Sequence, residues 1–226
     1  MSGKQAEKSG QGSVFKIFVV CVFSGTCNIV LNYTINGLAG LPVYLDTVFT
    51  AAVCFSAGLA PSLFAGLLFP ALLTPVKYVY LLNQPVEAGL VVYFFYICIL
   101  AQIILICFFH KKMKPAELVF LDSLAAKKPS LRSFIPLAVQ LLTLAALACV
   151  IVSILGGIIG YTVGLFSMPR SVYPEDTFLF GLLRNNVPQL ASEILSRLPI
   201  NIVDRFIVIF AGYGISLLYR KWLGSL

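Results

Sequence analysis

Charge is what this sequence has least of. Asp, Glu, Lys and Arg make up 11% of its 226 residues, hydrophobic residues make up 59%, and the mean hydropathy is +0.95. Soluble domains are about a quarter charged and nearer half apolar, so a soluble globular protein is excluded. Long polar stretches are missing as well: none runs beyond about two dozen residues, too few to build a separate soluble core. The only histidine is His110, and there is no HExxH or carboxylate–histidine cluster, which leaves metal-assisted hydrolysis without its ligands. No GxxxxGK[ST] phosphate loop is present, so this chain does not hydrolyse ATP by that machinery. There is no GxSxG and no CxxC. The six cysteines (Cys21, Cys27, Cys54, Cys98, Cys107 and Cys149) all lie in apolar segments, where a thiol serves as a small apolar side chain. An enzyme is therefore not expected, and no cofactor or metal is implied.

What the sequence has in quantity is apolar helix. Six spans can be placed, at about Val14–Ile35, Tyr44–Ala57, Pro61–Thr74, Val86–Phe109, Phe134–Phe166 and Asn201–Leu218. The polar arm, residues 1–13, resembles the charged region of a signal peptide, but the apolar run after it exceeds a signal core of ~7–15 residues. It reads as an uncleaved first span. Residues 14–221 form the membrane domain and 222–226 a short tail. The second and third spans are short for a bilayer that needs ~20 residues; joined, they would be one long helix broken by SAGLAPS. Charge decides between the two. Lys4, Lys8 and Lys16, the HKKMK run His110–Lys114, Lys127, Lys128, Arg132, Arg220 and Lys221 all belong in the cytoplasm by the positive-inside rule. Six spans satisfy that everywhere; merging the second and third would put HKKMK outside. The expected fold is an all-α integral membrane protein, a six-transmembrane-helix bundle with both termini cytoplasmic and a tight cytoplasmic turn at Gly58–Pro61.

The same topology puts residues 36–43, 75–85 and 167–200 outside. LPVYLDTVFTA, Leu41–Ala51, carries one charge in an otherwise apolar run, Asp46. An ionisable group at membrane depth is by default a functional-site hypothesis. The same level gathers Asp204 and Arg205 at the start of the last span, and Lys77, Tyr78, Tyr80, Asn83, Gln84 and Glu87 around an outer loop. Asn28, Asn32 and Asn36 recur every four residues, on one face of the first span. In one reading Asp46 pairs with Arg205 or Lys77, and the asparagines bridge helices. In the other, these groups line an outward-facing cavity with aromatic walls from Tyr33, Tyr44, Phe49, Tyr80 and Tyr93. The two are compatible. The candidate binding set is Asn32, Asn36, Tyr44, Asp46, Lys77, Tyr80, Asn83, Glu87, Asn201, Asp204 and Arg205, and its mixed charge suits an anionic or zwitterionic compound.

Two short amphipathic pieces stand outside the spans. PQLASEILSRLP, Pro188–Pro199, is expected along the outer surface, with Leu190, Ile194, Leu195 and Leu198 on one side. PAELVFLDSLAAKK, within the cytoplasmic loop Lys111–Ser133, is expected as a surface helix that rests on the membrane or meets a partner. Small residues recur at close-approach spacing: Cys21 and Gly25 in the first span, Gly156, Gly157 and Gly160 in the fifth, Gly212 and Gly214 in the last. Such faces pack helices within a chain or, on the first span, against another polypeptide.

GLPVYLDTVFTAAVCFSAGLAPSLFAGLL, Gly40–Leu68, resembles the second-span, turn and third-span signature of substrate-binding S components of energy-coupling factor transporters. The shared features are Pro42, Leu45-Asp46-Thr47, Gly58 and Gly66. LPINIVDRFIVIFAGYGI, Leu198–Ile215, resembles the start of that family's last helix. Membrane modules of bacterial sensor proteins share these motifs. The usual tryptophan-containing turn is replaced here by Leu59-Ala60-Pro61. The resemblance implies a subunit of the bacterial cytoplasmic membrane that binds a vitamin-like micronutrient under the loop after the first span. It implies a membrane coupling subunit and two cytoplasmic ATPases on other chains, and no nucleic acid. Cys21, Ser24, Gly25 and Asn28 would be the docking face for the coupling subunit. The alternative it leaves open is a ligand-sensing or signal-coupling protein of the same fold without transport.

Overall fold

The computed structural model describes residues 3–76, 86–126, 131–166 and 175–224. Among these the chain is helical, with no strand. Helix α1 (Gly3–Asn32) runs on into a wider π-helical turn, Tyr33–Leu38. A non-helical stretch leads to α2 (Val48–Ala57), which ends at Gly58 with φ +86°. The positive φ is open to glycine and closed to most other residues, so the chain reverses there. Helices α3 (Leu59–Leu63) and α4 (Phe69–Val76) are joined by a second π-helical turn, Phe64–Leu68, into one rod. Then come the long α5 (Val86–Ala125) and α6 (Leu131–Leu165), the short α7 (Asp176–Arg184) and α8 (Gln189–Leu195), and α9 (Leu198–Leu223).

Four segments are long and apolar enough to cross a membrane: Val14–Ile35, Val92–Ala125, Leu131–Leu165 and Gln189–Leu223. The chain is a membrane protein on that count. The expected second and third spans are present as shorter apolar helices, Val48–Ala57 and Leu59–Pro75. Several boundaries differ from expectation, among them the first: α1 begins at Gly3, within the polar arm, and not at Val14. The second span is helical only from Val48, because Leu45 takes φ +46° and no helix passes through that conformation. The cytoplasmic loop expected after Phe109 is instead the continuation of α5 through HKKMKPAELVF to Ala125. Met113 and Glu117 of that continuation are buried, and packing, not loop composition, decides its state.

Helix α2 is the hub. Ala51, Ala52, Val53, Cys54 and Phe55 are fully buried among α1, α5 and α9. Gly212 makes this possible on the α9 side: a Cβ there would lie 2.7 Å from Ala51 Cβ and 3.0 Å from Val48 O. Helices α5 and α6 form a long antiparallel hairpin, and α6 also packs on α8 and α9. Large apolar side chains such as Phe23, Ile104, Val139, Ile154 and Phe206 point outward, as lipid-facing residues should. Helix α8 is turned the opposite way to a soluble surface helix. Leu190 and Leu195 are exposed, while Ser192, Glu193, Ser196 and Arg197 are buried toward the bundle.

Candidate functional site

The non-helical stretch before α2 raises an accounting question. Backbone amides away from water need partners, and irregular backbone at membrane depth survives only inside protein. Asp204 of α9, wholly buried, supplies them. Its Oδ1 accepts from the amides of Tyr44 (3.1 Å) and Leu45 (2.7 Å), and its Oδ2 lies 2.5 Å from Arg205 Nη2. Asn32 Nδ2 donates to Tyr44 O at 2.8 Å. Arg205 Nη1 donates to Thr47 Oγ1 at 3.1 Å and to Gln102 Oε1 on α5. In the first turn of α2, Asn28 Oδ1 accepts from the Phe49 amide at 2.9 Å and Asn28 Nδ2 donates to Thr50 Oγ1 at 2.8 Å. That amide belongs to the first helical turn and has no acceptor within the helix. Three helices thus hold the second half of the nine-residue break, 39–47, in place. Leu45 within it is buried in a conformation that few non-glycine residues adopt.

A second group of charges meets the first through Tyr44, whose hydroxyl donates to Glu175 Oε2. Glu175 Oε1 lies 2.5 Å from Arg197 Nη1, and Glu193 Oε2 lies 3.6 Å from Arg197 Nη2. The guanidinium stands over the Phe95 ring, 5.4 Å from its centroid. It fits because α6 is notched there: a Cβ on Gly160 would be 2.8 Å from Arg197 Nη2 and 2.5 Å from Glu193 Oε2. Asn201 Nδ2 donates to Ser153 Oγ at 2.9 Å beside it. Among the described residues, this end buries four carboxyl groups (Glu175, Asp176, Glu193, Asp204) and two guanidiniums (Arg197, Arg205).

Of the expected site residues, the structure brings Asn32, Tyr44, Asp204 and Arg205 into direct contact and puts Asn201 next to them. Asp46 is half-buried and within electrostatic reach of Tyr96 and Cys98 on α5, while Arg205 pairs with its own neighbour Asp204. Lys77, Tyr80 and Asn83 lie outside the described residues, and of Asn36 and Glu87 only the backbone is described. Tyr93, expected in the aromatic wall, is exposed and donates to Ala71 O at 2.8 Å. Gln102, Thr47, Glu175, Glu193 and Arg197 were not expected in the set. A sequence signal existed for two of them: Glu193 and Arg197 are four apart, one helical turn.

The face of α1 expected to dock a partner is turned into the chain's own bundle. Cys21 Sγ lies 3.4 Å from Pro61 O, Ser24 Oγ 2.9 Å from Tyr219 Oη, and Asn28 is committed to α2. Gly25 is covered by the Phe69 ring. All four are buried in place of forming an open surface.

The far end of the bundle has its own buried knot. Arg220 of α9 lies 2.6 Å from Glu117 and 3.0 Å from His110 on α5, and its Nε and Nη2 donate to Phe55 O at the end of α2 (3.1 and 2.6 Å). Among the described residues, no group of three His, Cys, Asp or Glu side chains could hold a metal ion. An apolar groove lined by Ile135, Ala138, Val139, Leu142, Phe206 and Phe210 runs between α6 and α9. Comparison with protein-family models, curated proteins and solved structures gives no match to this chain.

Proposed function

We propose that this chain is the substrate-binding membrane subunit of an importer of the energy-coupling factor kind. It captures a vitamin-like micronutrient in an outward-facing pocket and hands it on with separate coupling and ATPase subunits. It catalyses nothing itself. The observation that carries this reading is the broken segment before α2. Polar side chains from α1, α5 and α9 converge on it, Tyr44 ties it to the Glu175–Arg197 pair, and Leu45 is held in a strained conformation. Strain and irregular backbone at membrane depth gather where a site must open and close.

Six crossings with both termini in the cytoplasm of a bacterium fit this role. The bonds from Arg220 to Phe55 O support that topology, because they bring the Gly58 reversal level with the end of α9. A sensing role remains the second reading. It is favoured by the tip of the α5–α6 hairpin, where Leu118, Val119, Leu124 and Leu131 are exposed beyond HKKMK and offer a surface to a separate signalling protein.

The test is mass spectrometry of small molecules released from the detergent-purified protein after growth in rich medium. The expected result is one compound near stoichiometric amount in the wild type, depleted in Tyr44→Phe. A wild type that releases nothing and gains no thermal stability from a panel of micronutrients would remove the transport reading.

A further inference from the structure

The end of the bundle that holds Arg220 also holds a group of exposed lysines. Glu117 is tied to Arg220 inside the bundle, so its charge does not offset the surface around it. Lys111, Lys112 and Lys114 of α5 and Lys221 of α9 are exposed next to that knot. Lys16 of α1 stands over the Trp222 ring at 5.8 Å, and Lys112 over the Phe108 ring at 4.6 Å. The Lys16 contact joins α1 to α9, and the Arg220–Glu117 bridge joins α9 to α5, so the lysines of all three helices gather at one end of the bundle. The exposed carboxylate of α5, Asp122, lies about 12 Å beyond Lys114 along the axis.

Depth identifies what this group meets. Ile97, Leu100, Ile104 and Phe108 form an exposed apolar line along α5. Lys111 to Lys114 follow Phe108 by about 4.5–9 Å of helical rise. A headgroup layer extends about 5–8 Å beyond a hydrocarbon core of about 30 Å. Trp222 is the chain's only tryptophan, and it sits at the same end, as interfacial tryptophans do. An acidic protein partner would need no such depth, and no aromatic rings beneath the ammonium groups.

We propose that this group binds the phosphodiester headgroups of anionic phospholipids, with Lys111, Lys112, Lys114 and Lys221 as the principal contacts and Lys16 at its edge. The site stands apart from the transport reading, and either can fail without the other.

The test uses the full chain equilibrated with equal amounts of phosphatidylglycerol and phosphatidylcholine, with retained lipids counted by native mass spectrometry. The wild type is expected to keep phosphatidylglycerol at least about tenfold over phosphatidylcholine, since ~1 kcal/mol per lysine is about fivefold each. K111Q/K112Q/K114Q/K221Q is expected to bring the two lipids near parity. Arg184→Gln, at the opposite end, is expected to change nothing. Equal retention by the wild type, or an undiminished preference in the quadruple variant, overturns the proposal, as does an equal loss in Arg184→Gln. Should the quadruple variant fail to fold, Trp222 of the wild type decides. Brominated phosphatidylglycerol should quench its emission more than brominated phosphatidylcholine in mixed nanodiscs, and equal quenching counts against the site.

Discussion

Asp204 has three separate tasks: it accepts from two amides and balances a buried guanidinium. Removing one partner of a buried ion pair costs about 3–5 kcal/mol, because the other charge stays behind unpaired. Asp204→Ala should therefore lower the unfolding midpoint in detergent sharply. Asp204→Asn keeps an acceptor for the Tyr44 and Leu45 amides and should lose clearly less. Equal losses in the two variants would mean that the amide contacts do not matter. At this scale the sequence was half legible. NIVDRF announces two charges where an apolar run should be, and Asp46 does the same in LPVYLDTVFTA. Which of the two carboxylates faces the broken backbone depends on how α9 is rotated against it, and no local pattern encodes that rotation. Glu175 and Arg197 were harder still, since their burial depends on a notch of glycines in a distant helix.

Helices touch closely here wherever a side chain is missing. A Cβ on Gly157 would lie 2.7 Å from Ile194 Cα and 2.8 Å from Ile194 N, both backbone atoms that cannot swing aside. Gly157→Ala should cost about 1–3 kcal/mol through forced separation of α6 and α8. Gly181 of α7 meets nothing within 4 Å, and Gly181→Ala should be neutral or stabilising by up to ~1 kcal/mol. Thermal unfolding of the two variants side by side checks the contrast. The knot at the other end offers a coupled test. Arg220→Met leaves Glu117 with His110 alone, at 3.1 Å, and should destabilise by about 3–5 kcal/mol. Adding Glu117→Gln should recover a large part of that loss, and simple additivity of the two changes would show that the pair is not coupled. Most helices were legible from apolar runs alone. The course of α5 beyond Phe109 was not, because HKKMK reads as the end of a span. What carries the helix onward is the burial of Met113 and Glu117 against residues about a hundred positions away.

For the whole molecule the open quantity is the number of crossings. Four helices are long enough alone, and the pair α2 and 59–76 either reaches the far side or turns back within the bilayer. Single cysteines placed in a cysteine-free background at Leu59, Asp122 and Arg184, all exposed, separate the cases with a membrane-impermeant thiol reagent. Six crossings require Leu59→Cys and Asp122→Cys to label from the cytoplasmic side and Arg184→Cys from the other. Labelling of Leu59→Cys from the Arg184 side would leave four crossings and a re-entrant hairpin. Charge distribution in the sequence favours six crossings, but it cannot by itself tell a shallow reversal from a deep one.

The bond between Leu45 and Asp204 joins residues 159 positions apart. A ribosome adding about 5–20 residues per second reaches Asp204 on the order of ten seconds or more after Leu45 has been made. Throughout that interval the amides of Tyr44 and Leu45 lack the acceptor they have in the finished fold. The first half of the protein is therefore inserted unfinished, and the last helix completes it.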